Sequence, residues 1–527
     1  AATVAGGRGA LVLVPDRADL TRLDAALTTA LGRGRHVVLT ADVGPPARYR
    51  RWLMARRGVV PVVIGTRAAA FAPLARPGLL AIWDDGDDSY DEPRAPYPHA
   101  REVLALRAGL TGAGLLIGGH ATTVEAAALV ESGWARGLSA PRATVRARAP
   151  LVLAGDDEGP GGGDPLARAA RLPTQAWRVA RDALSGRAAP GTRPGRTAPG
   201  TRPGRTGDEA AAPPGAPAGA DLGGDLGRGP VLVQVPRRGY LPLLSCQGCR
   251  APLRCPACQG SVGLGGRDDS PRCRWCGRGV DGWTCPACGA TRWRARAVGA
   301  RRTAEELGRA FPGVPVLTSA GGSVLRTVPD RPALVVATPG AEPVTAGGYA
   351  AALLLDGWAL LARPSLRAGE EALRRWLAAA GLIRPAGQGG RVVVVAEPAA
   401  GPVQALIRWD PVGYANREMA GRREARLPPA VHLVEITGAP GDVESFLAAP
   451  GRPEPVEVLG PLPARPAGGR AGAPGGEPPS PQTRAVLRVD LAGRQALLGW
   501  LRATLAARAA RKAGGPLRVQ VDPPDVI

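Results

Sequence analysis

The chain has 527 residues, 45% of them hydrophobic, too many for one core and enough for two to four domains. Its formal charge of +22 comes almost wholly from arginine, since Lys512 is the only lysine. Codon bias explains the choice of Arg over Lys, but the excess over Asp and Glu points to a polyanionic partner, nucleic acid before others. No apolar run reaches the ~20 residues of a membrane span and no secretory h-region opens the chain, which argues against a membrane or exported protein and for a cytoplasmic, nucleoid-associated one. The first residue is Ala rather than Met, so further sequence is expected upstream.

In residues 1–150 short apolar runs alternate with helical stretches. Strands are expected at Ala10–Val14, His36–Thr40, Pro61–Gly65, Leu79–Asp85 and Leu115–Gly118, with helices near Thr21–Leu31, Ala47–Arg57, His99–Leu110 and Val124–Gly137. Continuous Val/Leu/Ile runs separated by helices predict a parallel sheet covered on both faces. Residues 151–184 read as a connection with a helix. The Pro/Gly/Arg tract 185–229 holds a tandem nine-residue repeat, at 189–197 and 198–206, and reads as a flexible linker. A second α/β region follows, its first strand within 230–245 (Val231–Val235) and the rest in 291–430: strands Pro315–Thr318, Ala333–Thr338, Ala352–Asp356 and Val392–Ala396, helices Ala304–Ala310 and Glu370–Ala380. A mixed C-terminal domain, 431–527, contains a Gly/Pro loop near 464–482 and an amphipathic helix around Arg494–Ala513.

All eight cysteines fall in the inserted segment 246–290, as Cys246/Cys249, Cys255/Cys258, Cys273/Cys276 and Cys285/Cys288. Four CxxC pairs in so short a stretch read as metal ligation rather than disulfides; redox dithiols or an iron–sulfur cluster are the other readings. The first two pairs are separated by only five residues, whereas the second and third have fourteen between them, close to the usual zinc spacing. A nested arrangement follows: Cys255, Cys258, Cys273 and Cys276 hold one Zn²⁺, and Cys246, Cys249, Cys285 and Cys288 the other. A cross-braced pairing is the alternative. Four thiolates fill each shell, so both ions would be structural. Between Cys246 and Arg302 stand eleven arginines against Asp268, Asp269 and Asp281. Arg250, Arg254, Arg272, Arg274, Arg278, Arg292, Arg294 and Arg296, with Trp275 and Trp293, are candidate DNA contacts, arginine for phosphates and tryptophan for stacking. Taken singly, each tryptophan, Trp283 included, reads as packing of a small zinc core. His36, His99, His120 and His432 lack ligand spacing and read as structural. No Ser/His/Asp or Cys/His grouping suggests a catalytic residue.

Arg237-Arg238-Gly239-Tyr240 is followed by Ser245-Cys246-Gln247-Gly248-Cys249, and this run resembles the RRGY strand and first knuckle of the PriA family of replication restart proteins (primosomal protein N′), with which the later knuckles agree in spacing. Thr303-Ala304-Glu305-Glu306-Leu307 with Phe311-Pro312 looks like its GTE-R-x-EEL…FP stretch. Upstream, Ile64-Gly65-Thr66-Arg67 through Leu74 is close to IGTRSAVFAPL, Tyr97–Arg101 matches the YHARD region, and Val519–Pro523 resembles the closing DVDP strand. The resemblance implies two RecA-like parallel-sheet lobes of the helicase superfamily 2 type, an inserted double zinc-binding module and a C-terminal α+β domain. It also implies binding of stalled or abandoned forks, branched or single-stranded DNA, together with other primosome proteins and the replicative helicase that is reloaded. An N-terminal DNA-end-binding domain belongs to the family as well.

Active members bind ATP and Mg²⁺ between their lobes, and that chemistry needs a P-loop lysine, an acidic pair and a second-lobe arginine. Lys512 lies outside any Gly-rich strand-to-helix turn, although in the family the P-loop precedes the Ala10–Pro15 strand. Where helicases carry Asp-Glu-Glu-His this chain has Asp84-Asp85-Gly86-Asp87, and Ser-Ala-Thr has become His120-Ala121-Thr122. Shortening Glu to Asp85 moves the carboxylate by about 1 Å, in a mechanism sensitive to such displacement. Asp84, Asp85, Asp87 and Asp88 then read as a solvated acidic turn, and Arg384 as a surface arginine rather than a displaced finger. The expectation is a fork-binding restart protein without helicase activity. The alternatives are an active 3′-5′ helicase with its P-loop upstream, or a zinc-ribbon adaptor for protein or RNA.

Overall fold

A computed structural model describes residues 1–155, 172–186, 227–236, 243–248, 251–264, 270–273, 276–296, 299–363, 365–464, 481–512 and 514–524. The tandem repeat, Arg237–Tyr240, Cys249, Arg250, Arg274, Trp275 and most of the loop near 464–482 lie outside them. Two compact units emerge, residues 1–139 with 361–377 and 404–527, and residues 140–360 with 378–403.

The first unit opens with five strands: β1 (Gly9–Leu13), β2 (His36–Leu39), β3 (Val62–Gly65), β4 (Pro77–Trp83) and β5 (Gly114–Gly118). They form one sheet in the order β2-β3-β1-β4-β5, and every pairing is parallel. Leu11, Leu13, Val63, Leu80 and Ile82 face Tyr90, Ala100 and Leu104 on one side. Ala10, Val62 and Ile64 face Leu20, Leu23 and Leu27 of the helix Arg17–Leu31 on the other. Burial on both faces is why these strands read as unbroken apolar runs. Helix starts follow local chemistry: Asp16 accepts from the Asp19 N–H, the His99 ring accepts from the Arg101 N–H, and Thr123 accepts from the Ala126 N–H. His36 contacts Asp24 at 2.7 Å and His432 contacts Asp522 at 2.8 Å.

The second unit contributes, in chain order, β6 (Leu151–Ala154), β7 (Val231–Gln234), β8 (Leu243–Cys246), β9 (Val262–Gly263), β10 (Arg272–Cys273), β11 (Trp293–Arg296), β12 (Val316–Ser319), β13 (Leu334–Ala337), β14 (Ala351–Leu354) and β15 (Arg391–Val394). Six of them form a parallel sheet, β12-β13-β7-β14-β15-β6. Two expectations are corrected here. Residues 151–184 are more than a connection: Leu151–Ala154 is the edge strand beside β15, and Ala176, Val179, Ala180 and Ala183 of the helix Thr174–Ser185 pack into the sheet's core. A four-residue strand abutting a Gly/Asp-rich stretch offers too few apolar positions to declare itself. The range 291–430 is also not one body, because residues 361–377 and 404–430 group with the first unit. Leu373, Trp376 and Leu377 of the helix Ala368–Ala380 are fully buried.

Residues 431–524 carry β16 (Val431–Gly438), β17 (Glu457–Pro463), β18 (Thr483–Asp490) and β19 (Arg518–Val521), antiparallel in the order β17-β18-β16-β19. One face packs on the helices Pro440–Leu447 and Arg494–Ala510, with Phe446 and Trp500 edge to face at 5.4 Å. This is the expected α+β C-terminal domain.

Candidate functional site

The cysteine segment folds around knuckles. The N–H of Cys246, Cys255, Cys273 and Cys285 each donates to a carbonyl five residues on, at 2.8–2.9 Å. Closing each turn requires a left-handed residue after the second cysteine, and Gln259, Gly277 and Gly289 adopt φ of 58°, 73° and 71° there. The Sγ atoms of Cys255, Cys258, Cys273 and Cys276 all lie within 4.8 Å of one another, as do those of Cys246, Cys285 and Cys288. Measured separations are 3.4 Å for Cys258–Cys273, 3.8 Å for Cys255–Cys276 and 3.5 Å for Cys246–Cys288. A disulfide needs about 2.05 Å. A tetrahedral ion with bonds of about 2.3 Å to sulfur sets sulfurs about 3.8 Å apart. The donor set therefore fits metal ions in two clusters, four cysteines in one and, among the described residues, Cys246, Cys285 and Cys288 in the other. The Arg278 backbone N–H and neighbouring thiols draw the Cys276 thiol down to about 7, toward the thiolate that ligation uses.

Around the clusters, β10-β9-β8-β11 form a small sheet with Leu244, Leu253, Val262 and Val280 as its core and Trp283 packed against it. Arg254, Arg272, Arg278, Arg292 and Arg294 are exposed. Trp293 is 38% exposed at the start of the edge strand β11. Arg296 ends that strand. Among the described residues the module thus presents exposed arginines and an exposed tryptophan, Trp293, with Arg292 and Arg294 on either side of it in the chain.

The acidic turn lies after β4 in the first unit and is only partly solvated: Asp88 is exposed, Asp84 and Asp87 are partly buried, and Asp85 is buried. Asp85 is 3% exposed and accepts from the Arg101 guanidinium at 2.7 Å and from the Thr123 hydroxyl at 2.8 Å. Arg374, from the helix Ala368–Ala380, donates to Asp84, to Asp87 at 3.0 Å and to Glu371 at 2.7 Å. Gly86 makes room for it: a Cβ there would meet Thr123 Cγ2 at 3.0 Å and Arg374 Cδ at 3.3 Å. Further pairs continue the lattice, with Arg367 on Glu125 at 2.5 Å, Arg422 on Glu370, and the Val124 N–H on Glu370 at 3.0 Å. The correction has a plain cause. Carboxylates on a strand end facing a helix are buried by that helix, and they stay ionised only where cations are buried with them.

Electrostatics follow the same geometry. Burial pushes Asp84 up to about 6 even against Arg374. Burial acts on Asp87 too, but Arg374 and the Ser89 N–H outweigh it and hold that carboxyl below its usual range. Burial and the neighbouring Glu125 raise Glu370 to about 7, whereas Arg367 and Arg101 overcome burial and draw Glu125 down to about 2. The adjoining cavity, bordered by Gly86, Asp88, Thr122, Arg363 and Arg367, measures about 190 Å³. Small-molecule sites usually run to roughly 300–1,000 Å³.

Arg384 sits in the second unit, donating to the carbonyls of Gly347 and Arg228 at 3.0 and 2.9 Å and pairing with Asp330 at 3.1 Å. It clamps a loop and is neither a finger nor a loose surface group. Sequence reasoning missed Arg374, Arg101 and Arg367. Glu370-Glu371 followed by Arg374-Arg375 has the i,i+3 and i,i+4 spacing of helix ion pairs, but nothing local connects Arg374 to a turn 290 residues away. Arg374→Met should lower stability by about 3–5 kcal/mol at pH 8, because three carboxylates lose a buried partner. An acid whose folded pKa is raised loses stability as pH climbs from its unfolded value, 3.8, through about 6, so the penalty should shrink at pH 5 where Asp84 takes up a proton. Urea unfolding at the two pH values reads this, and an equal loss at both would contradict it.

Residues 423–524 match the family profile described as the primosomal protein N C-terminal domain. The chain is 48% identical to the probable replication restart protein PriA of Mycobacterium tuberculosis (strain ATCC 25618 / H37Rv), covering 99% of this chain and 75% of that one. It is 47% identical to the Mycobacterium leprae (strain TN) counterpart, over 99% of this chain and 74% of that one. Against the replication restart protein PriA of Bacillus subtilis (strain 168) the identity is 22%, over 82% and 50%. With nearly half its residues shared with such relatives along almost its whole length, the chain belongs to the PriA family of replication restart proteins.

Proposed function

We propose that this protein binds stalled or abandoned replication forks and promotes reloading of the replicative helicase without turning over ATP. The observation that carries the non-catalytic part is Arg374, which lies on Asp84 and Asp87 where a helicase of this family would use its acidic pair for Mg²⁺. A cation already hydrogen-bonded to those carboxylates competes with a metal for the same lone pairs. Asp85 is likewise committed, to Arg101 and Thr123, and is one methylene shorter than the catalytic Glu. Family membership supports the fork-binding part, as do the net charge of +22 and the exposed arginines of the cysteine module.

Two structural Zn²⁺ ions would hold that module, one on Cys255, Cys258, Cys273 and Cys276 and one on Cys246, Cys249, Cys285 and Cys288. Their role is folding: each contributes on the order of 10 kcal/mol to a segment with a small apolar core. Arg254, Arg272, Arg278, Arg292, Arg294 and Arg296 would grip phosphates while the Trp293 indole stacks on an unpaired base. Arg250, Arg274 and Trp275 belong to the same proposed surface.

Two measurements test the proposal. Metal analysis should return two zinc ions per chain, and stripping them with a chelator should unfold the module and lower fork affinity; iron, or fewer than two zincs, would exclude the assignment. DNA-stimulated ATP hydrolysis by the full-length protein should stay far below 1 s⁻¹, the low end of ordinary enzyme turnover. Turnover at or above that rate would favour the active helicase. Tighter binding to RNA than to forked DNA would favour the adaptor.

A further inference from the structure

In a parallel sheet all strands begin at one edge, so the segments that enter them share one side of the lobe. In the first sheet these segments are 6–8, 32–35, 57–61, 72–76 and 112–113. They carry Arg8, Arg33, Arg35, Arg57 and Arg76, and Arg56 closes the helix Pro45–Arg56 beside them. They contain no Asp or Glu and no aromatic residue. The strand-exit segments carry Asp16, Asp42, Asp84, Asp85, Asp87 and Asp88 instead. The lobe is therefore polarised, acids at one edge and arginines at the other.

Register brings the arginines together. His36 pairs with Val62 and Ala10 with both Val62 and Leu79, so the entries to β2, β3, β1 and β4 stand side by side. All six arginines are exposed, and none has an ion-pair partner among the described residues; Arg8 only donates to the Pro77 carbonyl, at 2.9 Å. Compensation of helix dipoles accounts for part of this, because Arg33, Arg56 and Arg57 lie near helix C-termini. It does not account for Arg8, which follows a four-residue helix, or for Arg76, which follows none.

We infer that this edge is a second DNA-contacting surface, distinct from the cysteine module, that follows the phosphate backbone of a duplex without reading sequence. The inference rests on the proposed DNA-binding reading. Four neighbouring strands span about 14 Å at about 4.8 Å each. Six cations on that length approach the duplex density of one charge per about 1.7 Å. Lacking aromatic side chains for stacking, the edge suits a paired backbone better than an unpaired strand.

The experiment uses the full chain with Arg33→Gln, Arg35→Gln, Arg56→Gln and Arg57→Gln combined, against a 30-base-pair duplex and a 30-nucleotide oligothymidine, with anisotropy followed from 50 to 200 mM salt. Each lost phosphate contact should reduce the duplex salt slope by about 0.9, giving a total change near 3–4 and at least a tenfold loss of affinity. Oligothymidine affinity should hardly move. The matching Lys variant should bind duplex like the parent, since charge and not fork geometry is needed, and it also controls for folding. An unchanged duplex slope in the Gln variant overturns the inference while leaving the DNA-binding reading intact. Equal losses on duplex and oligothymidine overturn the choice of a duplex. Failure of the parent to bind either DNA at 50 mM salt sinks both readings together.

Discussion

Asp84, Asp85 and Asp87 sit within one turn, Asp85 buried and the other two partly so, which is tolerable only if cations are buried with them. Arg101 and Arg374 fill that role, and the demand spreads outward. Arg374 also needs Glu371, Arg101 also faces Glu125, and Glu125 holds Arg367. Removing any one member leaves an uncompensated charge, so the lattice fixes the first turns of the helix Ala368–Ala380 against the strand end as firmly as apolar packing would. Compensation is incomplete at two members, since burial keeps Asp84 raised to about 6 despite its contact with Arg374 and, with Glu125 nearby, Glu370 raised to about 7. The lattice is thus tuned to neutrality rather than to a surplus of stabilisation.

That arrangement bears on chemistry. A magnesium site needs carboxylates that are exposed on one side, charged, and free to exchange water. Here two of the three are capped by Arg374, and the third is enclosed by Arg101 and Thr123. Gly86 is part of the same adjustment, because a side chain there would displace the arginine. Gly86 and Arg374 are therefore coupled positions, 288 residues apart in the chain.

Much of this was legible in sequence, for identifiable reasons. The parallel strands announced themselves because both faces are buried, so Val62–Gly65 and Leu334–Ala337 are apolar throughout. The cysteine clusters were legible because ligand spacing is a local property, set by turns that close within five residues. Leu151–Ala154 escaped because an edge strand of four residues has little pattern, and its partner β15 lies 240 residues away. The acidic turn was misread for a related reason. Four aspartates in five residues look solvated when taken alone, and only the tertiary fold supplies Arg101 and Arg374. Arg384 resembled a surface group until its two carbonyl partners were in view.

The stability of the first lobe resides in its sheet. Leu11, Leu13, Val63, Ile64 and Leu80 are essentially inaccessible to water, and Tyr90 of the loop after β4 packs into the same core as Leu11, Leu13, Val63 and Leu80. At the strand-exit edge, Asp84, Asp85 and Asp87 are absorbed by Arg374 and Arg101. The entry edge answers to a different pressure. Its arginines have no acids to neutralise, so solvent alone opposes their mutual repulsion. An unpaired cluster of six like charges is unfavourable in isolation and becomes favourable only against a polyanion, which is why the two edges of one sheet carry separate histories: one has closed on itself, and the other remains open to a partner.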